Sequence, residues 1–351
     1  MKSGRTLQEL AIELDRQAAS KRDFLVGGAA IEMDDNGNFI RLNNGTGKQP
    51  SFGATNLFHR QLGTALNIPS KYYDRMRSDY PDLLARNVNG WLGRDDSRHT
   101  VRTLDGSARA FLSDRYRRID NYDIAKAALP IIGEMAGANV ESCEITETHM
   151  FIKVVNNRMT AEVRKGDIVQ AGIVISNSEV GLGSVSVMPL VFRLVCLNGM
   201  IVNDLGTRKY HIGRENEEMW ELFSNETIQA DDAAFMLKLS DIVRTAVDEA
   251  RFSMAVDKLR SATEARITGR VPEVVELTAK QYNFNKNEES DILQHLIAGG
   301  DLTLYGLSNA VTRTATDVPD YDRATALENT GWNIATMPKD TWRQINAEAT
   351  P

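Results

Sequence analysis

Residues 91–203 read mainly as strand, and stretches on either side of them step their apolar residues by three and four. A two-residue period marks strands and a period near 3.6 marks helices. Leu7, Leu10, Ala11, Leu14 and Ala18 make residues 7–18 a helix, and Thr6 with Glu9 forms a capping box at its start. Residues 56–90 are helical as well. Between Gln61 and Met76 the cadence is helix, tight turn, helix, with Ser70 as the cap of the second helix. Such a pair either reads a DNA groove or packs as a helical hairpin, here with Leu66, Ile68, Tyr73 and Met76 in the core. The second use is the commoner.

Within the strand-rich part, Asp105-Gly106 divides two alternating runs, and an Asp-Gly pair there is a strong hairpin signal. A helix follows from Tyr122 to Met135. Strand runs come next at 139–155 and 168–176, and Val185 to Cys196 is an almost unbroken apolar strand. Leu197-Asn-Gly-Met200 reads as a second two-residue turn. Residues 227–266 carry Phe235, Leu239, Ile242, Ala246, Ala250, Met254 and Leu259 as one apolar stripe. A helix of about 40 residues would span about 60 Å at 1.5 Å per residue.

The expected fold class is α+β: a central, mostly antiparallel sheet with β-hairpins, helices on one side and one long helix. The expected regions are a mainly helical 1–90, a β-rich core 91–215, a long helix 216–268 and a C-terminal α/β tail 269–351. The long stripe exceeds what one lobe covers, which points to a homo-oligomer.

The first hairpin carries the candidate chemistry. A two-residue turn sets Leu104 opposite Ser107, Arg102 opposite Arg109 and Thr100 opposite Phe111, with Arg98 on the same face. Val101, Thr103, Ala108, Ala110 and Leu112 form the core face. Three arginines and a ring then share an open face, at a cost in like-charge repulsion. Removing one of them would leave stability unchanged or slightly higher. A polyanion would repay that repulsion. The alternative is that Asp95, Asp96 and Asp114 fold over the arginines and neutralise them.

The chain of 351 residues has a net charge of −7, which argues against a generic nucleic-acid binder. The charge is uneven, however. Arg86 to Lys126 holds nine Lys/Arg and six Asp/Glu, a local balance of 9 − 6 = +3. A local field acts over about 8–10 Å, so overall acidity does not exclude a basic groove. With no run of about 18 apolar residues and no signal peptide, a soluble protein of the host-cell cytoplasm is expected, with no membrane partner.

No constellation for catalysis, cofactor or metal emerges. A phosphate loop is missing, and Gly181-Leu-Gly183 suits a hairpin turn. Asp34-Asp-Asn-Gly-Asn38 is a turn that lacks the closing glutamate of a calcium loop. His59, His99, His149, His211 and His295 are scattered, and Cys143 and Cys196 have no metal spacing. A non-enzymatic protein is expected.

Three blocks carry a family resemblance. They are Ala108 to Asn121, Phe192-Arg-Leu-Val-Cys-Leu-Asn-Gly199, and Leu304-Tyr-Gly-Leu-Ser-Asn-Ala-Val-Thr312 followed by Tyr321, Arg323 and Glu328. Together, over about residues 60–335, they resemble the phage- and plasmid-borne family known as domain of unknown function 932. That resemblance implies a setting of replication, recombination or conflict with host defence, and no defined activity. More loosely the core order resembles phage single-strand annealing proteins of the RecT/Redβ kind, which oligomerise and lay DNA in a basic groove.

The expected function is therefore single-stranded DNA binding in phage recombination or replication, extending to strand annealing. Arg98, Arg102, Arg109, Arg115, Arg117 and Arg118 would meet phosphates, and Trp91, Phe111 and Tyr116 would stack on bases. Arg193, Arg208 and Lys209 form a second tier, with Arg193 alternatively a buried, paired arginine. The rival is a protein-interaction module, such as an inhibitor of a host defence enzyme or an assembly subunit.

Overall fold

The computed structural model describes residues 1–43, 49–116, 118–203 and 225–350. It is an α+β fold built on two curled, mostly antiparallel sheets. Helix α1 (Leu7–Ser20) begins at its capping box: the Thr6 hydroxyl accepts from the Glu9 N–H, and the Glu9 carboxylate accepts from the Thr6 N–H. Four short strands follow, β1 (Arg22–Gly27), β2 (Ile31–Met33), β3 (Phe39–Leu42) and β4 (Ser51–Ala54). Then come α2 (Asn56–Ala65), α3 (Ser70–Asp79), α4 (Pro81–Leu92) and the hairpin β5 (Arg98–Leu104) and β6 (Ser107–Ser113). These strands make one six-stranded sheet in the order β1-β5-β6-β4-β3-β2, with β4 and β6 parallel. The N-terminal region and the first hairpin are thus one layer, although only long-range pairing shows it.

Helices α2–α4 cover one face of this sheet. Phe58, Leu62, Tyr73, Met76 and Leu84 pack on Ile40, Leu42, Val101 and Phe111. The 61–76 stretch is therefore a core helical hairpin. Ser70 is the first residue of α3, and Pro69 stands at its cap without a side-chain bond.

Helix α5 (Asn121–Glu134) leads into β7 (Ala138–Ile145), β8 (Met150–Arg164), β9 (Asp167–Asn177), β10 (Ser186–Arg193) and β11 (Asn198–Ile201), paired in the order β11-β10-β9-β8-β7. Gly172 lets β8 and β9 close up, because a Cβ there would meet the Val154 carbonyl oxygen at 2.3 Å. Two apolar faces on one sheet call for helices on both. On one face, α1, α5 and α6 (Asn225–Ala246) pack Leu10, Ile124, Ile132, Phe235 and Leu239 on Ile152, Val154 and Ile173. On the other, Tyr321 lies against Phe151, Val174 and Leu190.

Two local expectations change. The strand from Val185 stops at Arg193, and residues 194–197 form the loop to β11, so Asn198-Gly199 is strand rather than turn. Asn198 is held there by donating to the Thr312 hydroxyl at 2.5 Å. Leu197 has a φ of 51°. A side chain in that left-handed region costs about 1–2 kcal/mol.

The long helix is two helices. Asp248 accepts from the Arg251 N–H at 2.8 Å and starts α7 (Glu249–Glu264) afresh. The stripe of α6 is covered by α5 and the second sheet of the same chain, so it no longer argues for assembly. Residues 269–350 hold α8 (Val271–Tyr282), α9 (Lys286–Gly299), α10 (Leu304–Asp317), α11 (Tyr321–Ala335) and α12 (Lys339–Glu348). The expected α/β tail is helical, because its apolar positions close a core with α7 around Tyr305 and Trp332. No helix among the described residues is long and apolar enough to cross a membrane.

His59 gives this fold a pH dependence. Its Nδ1 lies 2.8 Å from the Tyr73 hydroxyl, and its Nε2 is buried without a partner. Burial, with Arg77 nearby, lowers its pKa from 6.5 to about 4. The unfolded chain therefore binds a proton between those values that the folded chain refuses. The contribution is complete above pH 6.5 and is lost as pH falls toward 4. Urea midpoints should decline over that window in the parent, and His59→Gln should flatten the decline. An unchanged slope would show that His59 titrates normally.

Candidate nucleic-acid interface

The turn at Asp105-Gly106 forms as its residues dictate, with both φ values positive (51° and 75°) and Leu104 opposite Ser107. The next pair keeps that register, and beyond it the register shifts. Thr103 pairs with Ala108 and Arg102 with Ala110, so Arg109 is the extra residue of a β-bulge. Phe111 now faces Val101 rather than Thr100 and joins the core, edge-on to Phe58 and stacked on His99 at 4.4 Å.

The hairpin's central arginines are not on an open face. Arg102 is fully buried, and its guanidinium makes three bonds. It donates to Asp23 at 2.9 Å, to Asp120 at 2.6 Å and to the Glu179 carbonyl at 2.9 Å. Arg109 is buried against the Glu179 carboxylate, and its Nε has no partner. Lys21 reaches Asp120 at 2.5 Å, and the Asn121 N–H donates to Glu179 at 2.7 Å. Three cations and three carboxylates thus close on one another. Asp95, Asp96 and Asp114 take no part. Burial alone would raise the Asp120 carboxyl, but Arg102 and Lys21 hold it below its ordinary value. Burial likewise opposes the Arg102 charge, and Asp120 and Asp23 more than restore it.

Other candidates divide the same way. Arg193 is the paired arginine of the alternative reading. It grips Asp167 at 2.6 and 2.8 Å, and the Tyr305 hydroxyl donates to the same carboxylate at 3.1 Å. Tyr116 is half-buried and donates to the Ser178 carbonyl at 3.0 Å. Arg98 and Arg115 are exposed and form no ion pair with described residues. Arg118 is exposed, 3.6 Å from Asp23. Trp91 is 53% exposed on the last turn of α4. Arg117, Arg208 and Lys209 lie outside the described residues.

An exposed strip remains along β1, an edge of its sheet. Gly27 lies opposite Arg98, Leu25 opposite Thr100 and Asp23 opposite Arg102, so these pairs share a face. Leu25 is exposed between Arg98 at one end and Arg118 at the other. From Gly27 to Asp23 is about 13 Å at 3.3 Å per residue. The short apolar run Phe24-Leu25-Val26 before two glycines is the one local sign of this strand, and nothing local assigns it to β5. Glu179 carries no sequence signal either.

The histidines offer three pairs. His99 meets Asp95 at 2.6 Å, His149 meets Asp322 at 2.8 Å and His295 meets Asp317 at 2.9 Å. Ser97 and Asp95 both approach Nε2 of His99. A relay to a serine needs its carboxylate on the other ring nitrogen, so this trio does not form one. Among the described residues no three His, Cys, Asp or Glu side chains group as a metal site.

Comparison with known proteins adds one match. The family model of a domain of unknown function (DUF932) covers residues 110–330, more than half of the chain. The chain belongs to this DUF932 family. The matched span runs from the middle of β6 into α11, so the DUF932 region includes Glu179, Asp120 and the whole second sheet, while Asp23 and Arg102 lie before it. No curated protein and no solved structure matches.

Arg102 tests the buried cluster. Arg102→Ala would leave the half-buried Asp23 and Asp120 without their main counter-charge, and breaking one partner of a buried ion pair costs about 3–5 kcal/mol. Arg98→Ala should change stability by less than about 0.5 kcal/mol, as surface substitutions do. Urea unfolding of both variants checks this. Equal stability of Arg102→Ala and parent would return Arg102 to the surface.

Proposed function

We propose that this DUF932 protein binds single-stranded nucleic acid without catalysis, through the strip on β1 and the exposed arginines around it. The supporting observation is the placement of Arg98 and Arg118 on one face of an open edge, with exposed Leu25 between them. A stretch of edge strand about 13 Å long, from Gly27 to Asp23, with a cation beside each end suits an extended polyanion better than a small anion. Arg115 and Trp91 add a further cation and a stacking surface. Single-stranded DNA is the substrate we infer, in phage or plasmid recombination or replication, with strand annealing as its extension. The phage and plasmid setting rests on the family resemblance alone. Arg102, Arg109 and Phe111 support the strip from inside rather than touching the strand.

Fluorescence anisotropy of a labelled thymidine oligonucleotide, titrated at several salt concentrations, tests the reading. Affinity should fall steeply with salt through counterion release. Arg98→Ala plus Arg118→Ala should weaken binding about tenfold or more and flatten the logarithmic salt slope by about 1.4, or 0.7 per lost phosphate contact on a single strand. A parent without measurable affinity, or a variant that binds like the parent, would remove the proposal.

A further inference from the structure

The loop from β10 to β11 presents an apolar knob. Leu194, Val195 and Leu197 are 37%, 59% and 58% exposed, three aliphatic side chains on four residues. Ile168 is exposed beside them, and its carbonyl accepts from the Leu194 N–H at 3.0 Å.

The knob is held firmly. Arg193 is clamped on Asp167 and also donates to the Cys196 sulfur at 3.3 Å. Arg313 donates to the Cys196 carbonyl at 3.3 Å, and Asn198 is fixed on Thr312. At its tip Leu197 occupies the left-handed region, which glycine or asparagine would enter at less cost. Asn67, Asp105 and Asn283 are the other described non-glycine residues there, all of types that tolerate it. Leu197 repays its strain with little burial inside the chain. A strained, exposed, rigidly mounted leucine points outward for its purpose.

Charge indicates what meets it. Arg313 is exposed beside the loop, and Lys165 is exposed in the β8–β9 turn at the same end of the sheet. Of the neighbouring carboxylates, Asp167 and Asp301 are engaged by Arg193 and Arg164, and Glu162, opposite Ile168, accepts from the Gly166 N–H. We infer that the 194–197 knob docks a partner protein through an acidic segment carrying apolar side chains, which bury the aliphatics while its carboxylates face Arg313 and Lys165. The knob lies on the second sheet, apart from the strip on β1, so this inference does not depend on the nucleic-acid reading.

Selection of a random peptide library displayed on yeast tests it, with the parent and the Val195→Ser plus Leu197→Gly variant as separate baits and no DNA present. The parent alone should enrich peptides that combine apolar residues with net negative charge. A synthetic copy of an enriched peptide should bind the variant, and separately Lys165→Glu plus Arg313→Glu, about tenfold or more weakly. The melting temperature of the Leu197→Gly variant should equal or exceed the parent's, because the strain is relieved. Three results would overturn the inference: no parent-specific enrichment, enrichment of basic peptides, or a lower melting temperature for Leu197→Gly, which would make the side chain structural. Two further outcomes would replace the occupant. Knob-dependent self-association in light scattering would make it a second copy, and knob-dependent sedimentation with phosphatidylglycerol vesicles would make it a lipid surface.

Discussion

Everything in this molecule turns on one buried charge cluster: Lys21, Arg102 and Arg109 closed on Asp23, Asp120 and Glu179. Ions leave water at a cost of several kcal/mol each, and only close, well-bonded partners offset it. The formal charges balance three to three, and Arg102 spends its three bonds on three separate segments. Those segments are β1 of the first sheet, the start of α5 and the loop from β9 to β10 of the second sheet. The cluster is therefore the joint between the sheets. Gln61 reinforces it by accepting from the Phe111 N–H and donating to the Val180 carbonyl. An apolar joint of equal size would pack as well but would not select which loop meets which strand.

The same economy of charge shapes the surface. Arginines drawn inward cannot meet a ligand, so the proposed binding falls to what the cluster leaves outside. Arg118 stands at its margin, 3.6 Å from Asp23, and Arg98 lies opposite Gly27 farther along β1, where that strand ends the sheet and Leu25 stays half-open. The joint and the strip share Asp23, so the joint holds the strip at one end. On the second sheet, Arg193 and Asp167 do the same for the 194–197 knob: a buried ion pair mounts an exposed apolar loop. In both places the buried pair supplies rigidity and the outward chemistry lies beside it.

Local signals were legible and long-range ones were not. Thr6 and Glu9 announce α1 because a capping box is complete within four residues. Asp105-Gly106 announces its turn because both residues tolerate positive φ. The bulge at Arg109 has no such mark, and one extra residue there moved Phe111 to the opposite face. Hairpin alternation set Arg102 opposite Arg109 on an open face, whereas Arg102 pairs with Ala110 and both arginines turn to distant carboxyl-bearing residues: Asp23, about 80 residues before Arg102, and Glu179, about 80 after. Pattern reading sees a charge and its neighbours along the chain. It does not see which distant carboxylate will cover it. The expected stripe of 227–266 holds in α6 at Phe235, Leu239 and Ala246, but Asp248, a helix cap, breaks it, and α7 buries Phe252, Ala255, Val256 and Leu259 while Ala250 and Met254 face outward.

The joint is tested most directly by a double-mutant cycle on Arg102 and Asp120, using Arg102→Met, Asp120→Leu and the pair, each unfolded in urea. Removing both partners should cost less than the sum of the single losses by about 1–3 kcal/mol, as groups in one network behave. The single variants should also lose cooperativity between the sheets, seen as separate transitions when each sheet is followed by its own probe. Losses that add to within about 0.5 kcal/mol, with one shared transition throughout, would contradict the account and leave the two sheets held by apolar packing and neutral hydrogen bonds such as those of Gln61.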